Sequence, residues 1–149
     1  MEIREQLFVQ CVNYVDQRIE AAQLEMGYAQ ASANAEEKSS MGDKYETGRA
    51  MAHLERDKAV QQFLEATKMK SFLSKVSQSA SKEVAELGSV VVTTQGNFYL
   101  AISTGTLQVS DFKVFALSPV SPLGQKLLLR KVDDEFTFNG KLFKILKIQ

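Results

Sequence analysis

Apolar residues recur at helical spacing through the first half of the chain. Leu7, Cys11, Val15, Ile19, Ala22, Met26, Ala29 and Ala33 follow one another at intervals of three or four, which puts them on one stripe of a helix. After an interruption at 38–42, a second stripe runs through Met51, Leu54, Ala59, Phe63, Ala66, Met69, Leu73 and Val76. Each helix would hold about 33 residues and reach roughly 50 Å. Two helices with one narrow apolar stripe each, joined by a short connection, bury the stripes against each other as an antiparallel hairpin. Gly27 lies inside the first helix, where it costs ~1 kcal/mol relative to alanine. Ala29, Ala31, Ala33 and Ala35 make the distal end thin.

The pattern changes after residue 76. The small polar run 77–82 reads as a linker. Segments 89–94 and 97–103 flank Gln95-Gly96 as a first β-hairpin, and 112–117 is a third strand candidate. Segments 136–139 and 141–147 flank Gly140 as a second hairpin. Ser121 followed by Pro122 is a helix start signal, so a short helix opens there. The expectation is an α+β chain: a long antiparallel helical hairpin over 1–76 with its tip at about 38–46, then a small antiparallel β domain with one short helix over 83–149. About seventy residues make a marginal core, so help from the base of the hairpin is expected.

Composition agrees with this division. Residues 1–76 hold three of the eight glycines and neither proline, and most of the valine and phenylalanine lies beyond them. The 18 basic and 18 acidic residues cancel, which argues against a protein held on nucleic acid by bulk charge. The second half is mildly basic, with 8 basic against 6 acidic residues over 80–149. One cysteine, Cys11, excludes an intramolecular disulfide and a cysteine metal cluster. No apolar run approaches the ~18 residues of a membrane span, and the N-terminus lacks a basic region followed by an apolar stretch. A cytoplasmic monomer with no membrane partner is expected.

Few residues offer chemistry. Ser40 can cap the second helix, which sets Asp43 and Glu46 in or near its first turn. Residues at i and i+3 share a face, so this pair suits one hard divalent cation such as Mg²⁺. Acidic residues in a first turn also complement the helix dipole and need no function to explain them. His53 is the only histidine, so neither a His/Cys metal cluster nor a Ser–His pair can be built around a second one. Lys126, Arg130 and Lys131 suit phosphate or an acidic protein surface, or simply a solvated face. No phosphate-cradling glycine-rich loop is present.

Two segments together resemble the Gre family of bacterial transcript-cleavage factors. Gly42-Asp43-Lys44-Tyr45-Glu46 is similar to the family's Gly-Asp-x-x-Glu at the tip of its coiled-coil finger. Ser118-Pro119-Val120-Ser121-Pro122-Leu123-Gly124-Gln125-Lys126-Leu127-Leu128, then Val132-Asp133-Asp134-Glu135 and Phe143-Lys144-Ile145-Leu146-Lys147-Ile148, resemble its C-terminal signature. The resemblance spans nearly the whole chain and implies a coiled-coil hairpin joined to an FK506-binding-protein-like (FKBP-like) domain. It further implies docking of that domain on RNA polymerase, with Ser121, Pro122, Leu123, Gly124 and Lys126 as partner-binding residues. The finger would then enter the secondary channel. There Asp43 and Glu46 would help hold a Mg²⁺ ion shared with the polymerase and promote cleavage at the 3′ end of backtracked RNA. Such a protein is not an enzyme alone; it stimulates the polymerase's own activity.

The chain departs from the family in two places. Past Glu46 it reads Thr47-Gly48-Arg49-Ala50 where the family has Asn-Ala-Glu-Tyr; aligning Tyr45 with that tyrosine instead puts Met41 at the second acid's place. Where the family carries glycine after the Leu-Leu pair and before Asp-Glu, this chain has Leu129 and Asp133. An intact acidic pair favours cleavage, whereas its loss favours a non-catalytic secondary-channel binder that modulates or inhibits the polymerase. An unrelated helical-hairpin interaction module is the reading from a different class.

Overall fold

The protein is described here by a computed structural model covering residues 2–38, 42–76 and 78–149; the side chains at 36–38 and 42–47 lie outside the described residues. The element order is α1 (Ile3–Lys38), α2 (Gly42–Leu73), β1 (Val90–Thr93), β2 (Gly96–Leu100), β3 (Gly105–Val109), β4 (Phe112–Leu117), α3 (Pro122–Leu127), β5 (Glu135–Phe138) and β6 (Lys141–Ile148). The chain is therefore α+β, with two N-terminal helices packed together followed by a six-stranded sheet. It divides into two compact units: Tyr14–Lys70, and Met1–Asn13 together with Ser71–Gln149.

In the helical unit the α1 stripe is buried as its spacing requires, at Val15, Ala22, Ala29 and Ala33, with Ile19 and Met26 half-buried. On α2 the buried line differs from the expected one. Ala59, Ala66 and Leu73 are buried as expected, but Met51 and Leu54 are 58% and 68% exposed, and ahead of Ala59 the seam runs through Ala52 instead. These alanines recur every seven residues, as do Val15, Ala22 and Ala29 on α1, so burial follows the heptad and not side-chain size. The exposed Lys70 Nζ donates to Asp16 Oδ1 at 2.6 Å between the helices. A pair of this kind contributes about 0–1 kcal/mol.

The other unit is built on one sheet in the order β3-β4-β2-β1-β6-β5. It was expected to be antiparallel and is mixed, because β2 and β4 run parallel, Phe98 facing Phe115 and Leu100 facing Leu117. The physical reason is β3, a five-residue strand that was not among those expected. The chain leaves β2, runs out along β3 at the sheet edge, and returns as β4 between β3 and β2. The first hairpin turn also sits one residue earlier than expected: Thr93 pairs with Gly96, and Thr94-Gln95 form the loop. The last hairpin turns at Asn139-Gly140, both at positive φ (50° and 76°), the conformation that a two-residue type I′ turn requires.

Successive residues of β1 and β2 bury opposite faces. Val91, Phe98 and Leu100 join Leu117, Leu127, Phe136, Phe143, Ile145 and Ile148 in one core, with Phe136 stacked on Phe143 at 5.1 Å. On the other face Tyr99 is buried near Arg4 and Cys11 of α1. Gln10 Nε2 donates to the Gln108 carbonyl at 2.9 Å, and Arg4 donates to the Ala80 carbonyl at 3.2 Å. The first turns of α1 thus close one side of the sheet, which is the help that so small a β core needs.

Candidate functional site

The best-defined site candidate is the segment from Ser118 to Asp134. Ser118 is tied to the connection between β2 and β3 by its amide, which donates to Ser103 Oγ at 3.0 Å. Ser121 has extended backbone (φ −67°, ψ 159°) and caps α3, its Oγ accepting from the Gly124 amide at 3.2 Å and donating to the Ser118 carbonyl at 2.6 Å. Pro122 occupies the first turn, where its missing N–H has no partner to lose. Gln125 Nε2 reaches back to the Val120 carbonyl at 2.9 Å. Gly124 is buried against the 118–119 backbone. A Cβ there would overlap the Ser118 carbonyl oxygen and lie 2.9 Å from Pro119 Cα.

Beyond α3 the chain turns twice through left-handed backbone, at Leu129 (φ 67°) and Asp133 (φ 75°). The Leu129 amide donates to the Ala85 carbonyl at 2.7 Å, and the Ala85 amide donates to the Arg130 carbonyl at 2.8 Å. Arg130 lies over the Phe136 ring, 4.9 Å from its centroid, while its Nε donates to the Lys126 carbonyl at 2.8 Å. The Asp134 carboxylate accepts from the Lys131 amide at 2.8 Å, and the Asp133 amide donates to the Ile145 carbonyl at 2.8 Å. The loop is thus held at Leu129, Arg130, Lys131, Asp133 and Asp134.

The five expected partner-binding residues therefore divide. Pro122 and Lys126 are exposed and available to a partner. Ser121 and Gly124 are used by the fold itself, as cap and close-approach position, and Leu123 packs against the core. Sequence reasoning missed Ser118, whose carbonyl and hydroxyl organise the cap. Its signal was the Ser-x-x-Ser spacing just before the proline.

Asp43 and Glu46 fall in the first turns of α2 by backbone, but their side chains lie outside the described residues, as does Ser40. Among the described residues no group of three or more His, Cys, Asp or Glu side chains is placed to hold a metal. His53 is half-buried on α2. Cys11 is fully buried, and burial pushes its thiol up to about 12; burial also raises Tyr99, with Cys11 adding to the rise and Arg4 opposing it. Neither group is poised for chemistry near neutral pH. No described helix is long and apolar enough to cross a membrane. No family model, curated protein or solved structure matches the chain.

Proposed function

We propose that this chain is a Gre-like transcription elongation factor that binds RNA polymerase through its strand-bearing unit and offers the 38–46 tip to the secondary channel. The observation that carries the reading is the backbone after α3. Leu129 and Asp133 both adopt the left-handed conformation, and these are the two places where the resembled family carries glycine. A resemblance of residue types alone would not require such φ values at two non-glycine positions. The Ser121 cap and the close approach at Gly124 supply the same kind of support for the Ser-Pro-Leu-Gly run. Coiled-coil pairing of α1 and α2 and an FKBP-like ancestry of the β unit belong to this proposal.

Asp43 and Glu46 fit a hard cation by donor type, both being carboxylates set three residues apart in a first turn. A Mg²⁺ ion held there jointly with the polymerase would stabilise charge on a scissile phosphate and lower the pKa of a water. The protein's own part is to position the two acids; it is not an enzyme alone. Thr47-Gly48-Arg49-Ala50, in place of the family's Asn-Ala-Glu-Tyr, favours a second reading in which the chain occupies the channel and modulates the polymerase without cleavage. Purified protein added to stalled, backtracked complexes with Mg²⁺ titration separates the two. RNA shortened from its 3′ end supports cleavage; binding with intact RNA leaves the non-catalytic reading. No binding to polymerase removes both.

A further inference from the structure

The last hairpin carries reactive groups in an open turn. Its two-residue loop is Asn139-Gly140, with Phe138 facing Lys141 across it. Both loop residues are exposed, and beyond its chain neighbours nothing stands within 4 Å of where a Cβ on Gly140 would lie. Among the described residues no hydrogen bond uses the Gly140 amide. Asn139 has φ 50° and Gly140 φ 76°, the pair of a type I′ turn. Type II′, the other common two-residue hairpin turn, keeps positive φ at the first residue and differs by a flip of the peptide plane between the two. In the flipped turn ψ of the first residue is about −120°, which swings the next amide nitrogen alongside Cβ and within reach of the side-chain carbonyl carbon. Gly140 takes either sign of φ, so the flip leaves both strands in place. The other three asparagines lack this route. Asn13 and Asn34 lie inside α1, where helical ψ holds the next amide off the side chain and the i→i−4 bond engages it. Asn97 lies in β2, its Nδ2 donating to the Lys113 carbonyl at 3.1 Å.

We infer that Asn139-Gly140 is a self-modification site of the folded chain, whatever its partner. The Gly140 nitrogen attacks Asn139 Cγ, the Cγ–Nδ2 bond breaks, and ammonia leaves with the proton that Gly140 gives up. Water then opens the five-membered imide at either carbonyl, yielding aspartate or isoaspartate. The two products part in structure. Aspartate suits the same turn and adds one negative charge beside Lys141. Isoaspartate adds a carbon to the main-chain path of a two-residue loop, so Phe138 no longer meets Lys141 in register. β5 is held on the sheet by β6 alone and carries Phe136, which stacks on Phe143 at 5.1 Å and lies under Arg130, so the chain ages at this hairpin first. The test incubates full-length protein at mildly alkaline pH, folded and in urea, followed by peptide mass spectrometry and labelling with isoaspartyl methyltransferase. In the folded protein Asn139 should gain about one mass unit, about tenfold or more faster than Asn13, Asn34 or Asn97. Its folded rate should lie within about tenfold of its rate in urea, because the flip needs no unfolding. Amide exchange in β5 and β6 should quicken in the isoaspartyl fraction, while the Asn139→Asp variant exchanges as wild type does. If Asn139 converts in urea but stays intact in the folded chain, the turn guards the site and the inference is overturned. If it converts and the isoaspartyl fraction exchanges as wild type does, the loss of register is overturned.

Discussion

The same substitution, glycine to alanine, should have opposite effects at two helical positions of this chain. Gly27 lies in α1 with nothing within 4 Å of where a Cβ would stand. Alanine there gains helix propensity without contact, so Gly27→Ala should stabilise the helical unit by ~1 kcal/mol. Gly124 lies in α3, where the same propensity gain applies but the added carbon meets the Ser118 carbonyl, Ser121 Oγ at 2.8 Å and Pro119 Cα at 2.9 Å. Two of these are backbone atoms, and Ser118 is itself held by Ser103 Oγ, so they cannot simply swing away. Overpacking of this kind costs about 1–3 kcal/mol. Moving Ser121 to relieve it strains the cap, which contributes roughly 1 kcal/mol more. After subtracting the ~1 kcal/mol propensity gain, Gly124→Ala should lose about 1–3 kcal/mol. Because the chain has two compact units, one global transition is not assumed. Amide hydrogen exchange, which reports each unit separately, is the assay. Slower exchange in α1 for Gly27→Ala and faster exchange around α3 and β6 for Gly124→Ala are expected. Equal stabilisation by both substitutions would refute the steric account, since propensity alone would then explain everything.

Three further outcomes follow from the described geometry and the proposed tip. Asp43→Asn and Glu46→Gln should each slow RNA cleavage by about 10–100-fold in backtracked complexes, with folding stability changed by no more than about 0.5 kcal/mol beyond the small helix-dipole loss. Unchanged cleavage rates in both would move attention to Glu36 and Glu37. Ala59→Leu, on the buried seam, should destabilise the helical unit by about 1–3 kcal/mol, whereas Leu54→Ala, outside it, should be near neutral; urea melts by circular dichroism distinguish this from the reverse order. Cys11 binds its proton more tightly folded than unfolded, so stability should hold below an unfolded thiol pKa of about 8.5 and fall as pH rises toward about 12. Tyr99 acts in the same direction above its ordinary range, so Cys11→Ala should flatten the lower part of the alkaline loss in urea midpoints without abolishing it.

Sequence legibility followed the range of the interactions involved. The start of α3 was legible because cap and first-turn chemistry is local: Ser121 and Pro122 are neighbours in sequence and act as neighbours in space. The two long helices were legible because a stripe repeated over many turns averages out single exceptions. The α2 seam was legible from Ala59 through Ala66 to Leu73 but not ahead of it, because Met51 and Leu54 look like core residues while Ala52, seven residues before Ala59, is the buried one. The strand β3 was missed because it is only five residues long; Thr106 and Gln108 do alternate with Leu107 and Val109 as the two faces of a strand should. The parallel β2–β4 pairing could not be read at all, since alternation tells which face a residue takes and says nothing about which strand lies beside it. In the site, the role of Gly124 depends on the Ser118 carbonyl six residues earlier, which the Ser121 amide and hydroxyl hold; that Ser-x-x-Ser signal was local but went unread.

The residues that say most about function are those whose identity disagrees with local stability. Asp43 and Glu46 agree with it. Carboxylates in a first turn favour the helix whatever else they do, so their presence alone separates a metal-holding tip from an ordinary one only weakly. Leu129 disagrees: glycine or asparagine would relieve the turn, yet a leucine stands there with its side chain in solvent. Asp133 disagrees less, because aspartate tolerates the left-handed region better than a branched aliphatic residue does. The order of information is therefore the reverse of the order suggested by motif matching, in which the acidic tip draws attention first. It also sets the order of experiment, because polymerase binding that survives Asp43→Asn and Glu46→Gln would place partner recognition outside those two acids and leave the tip to chemistry.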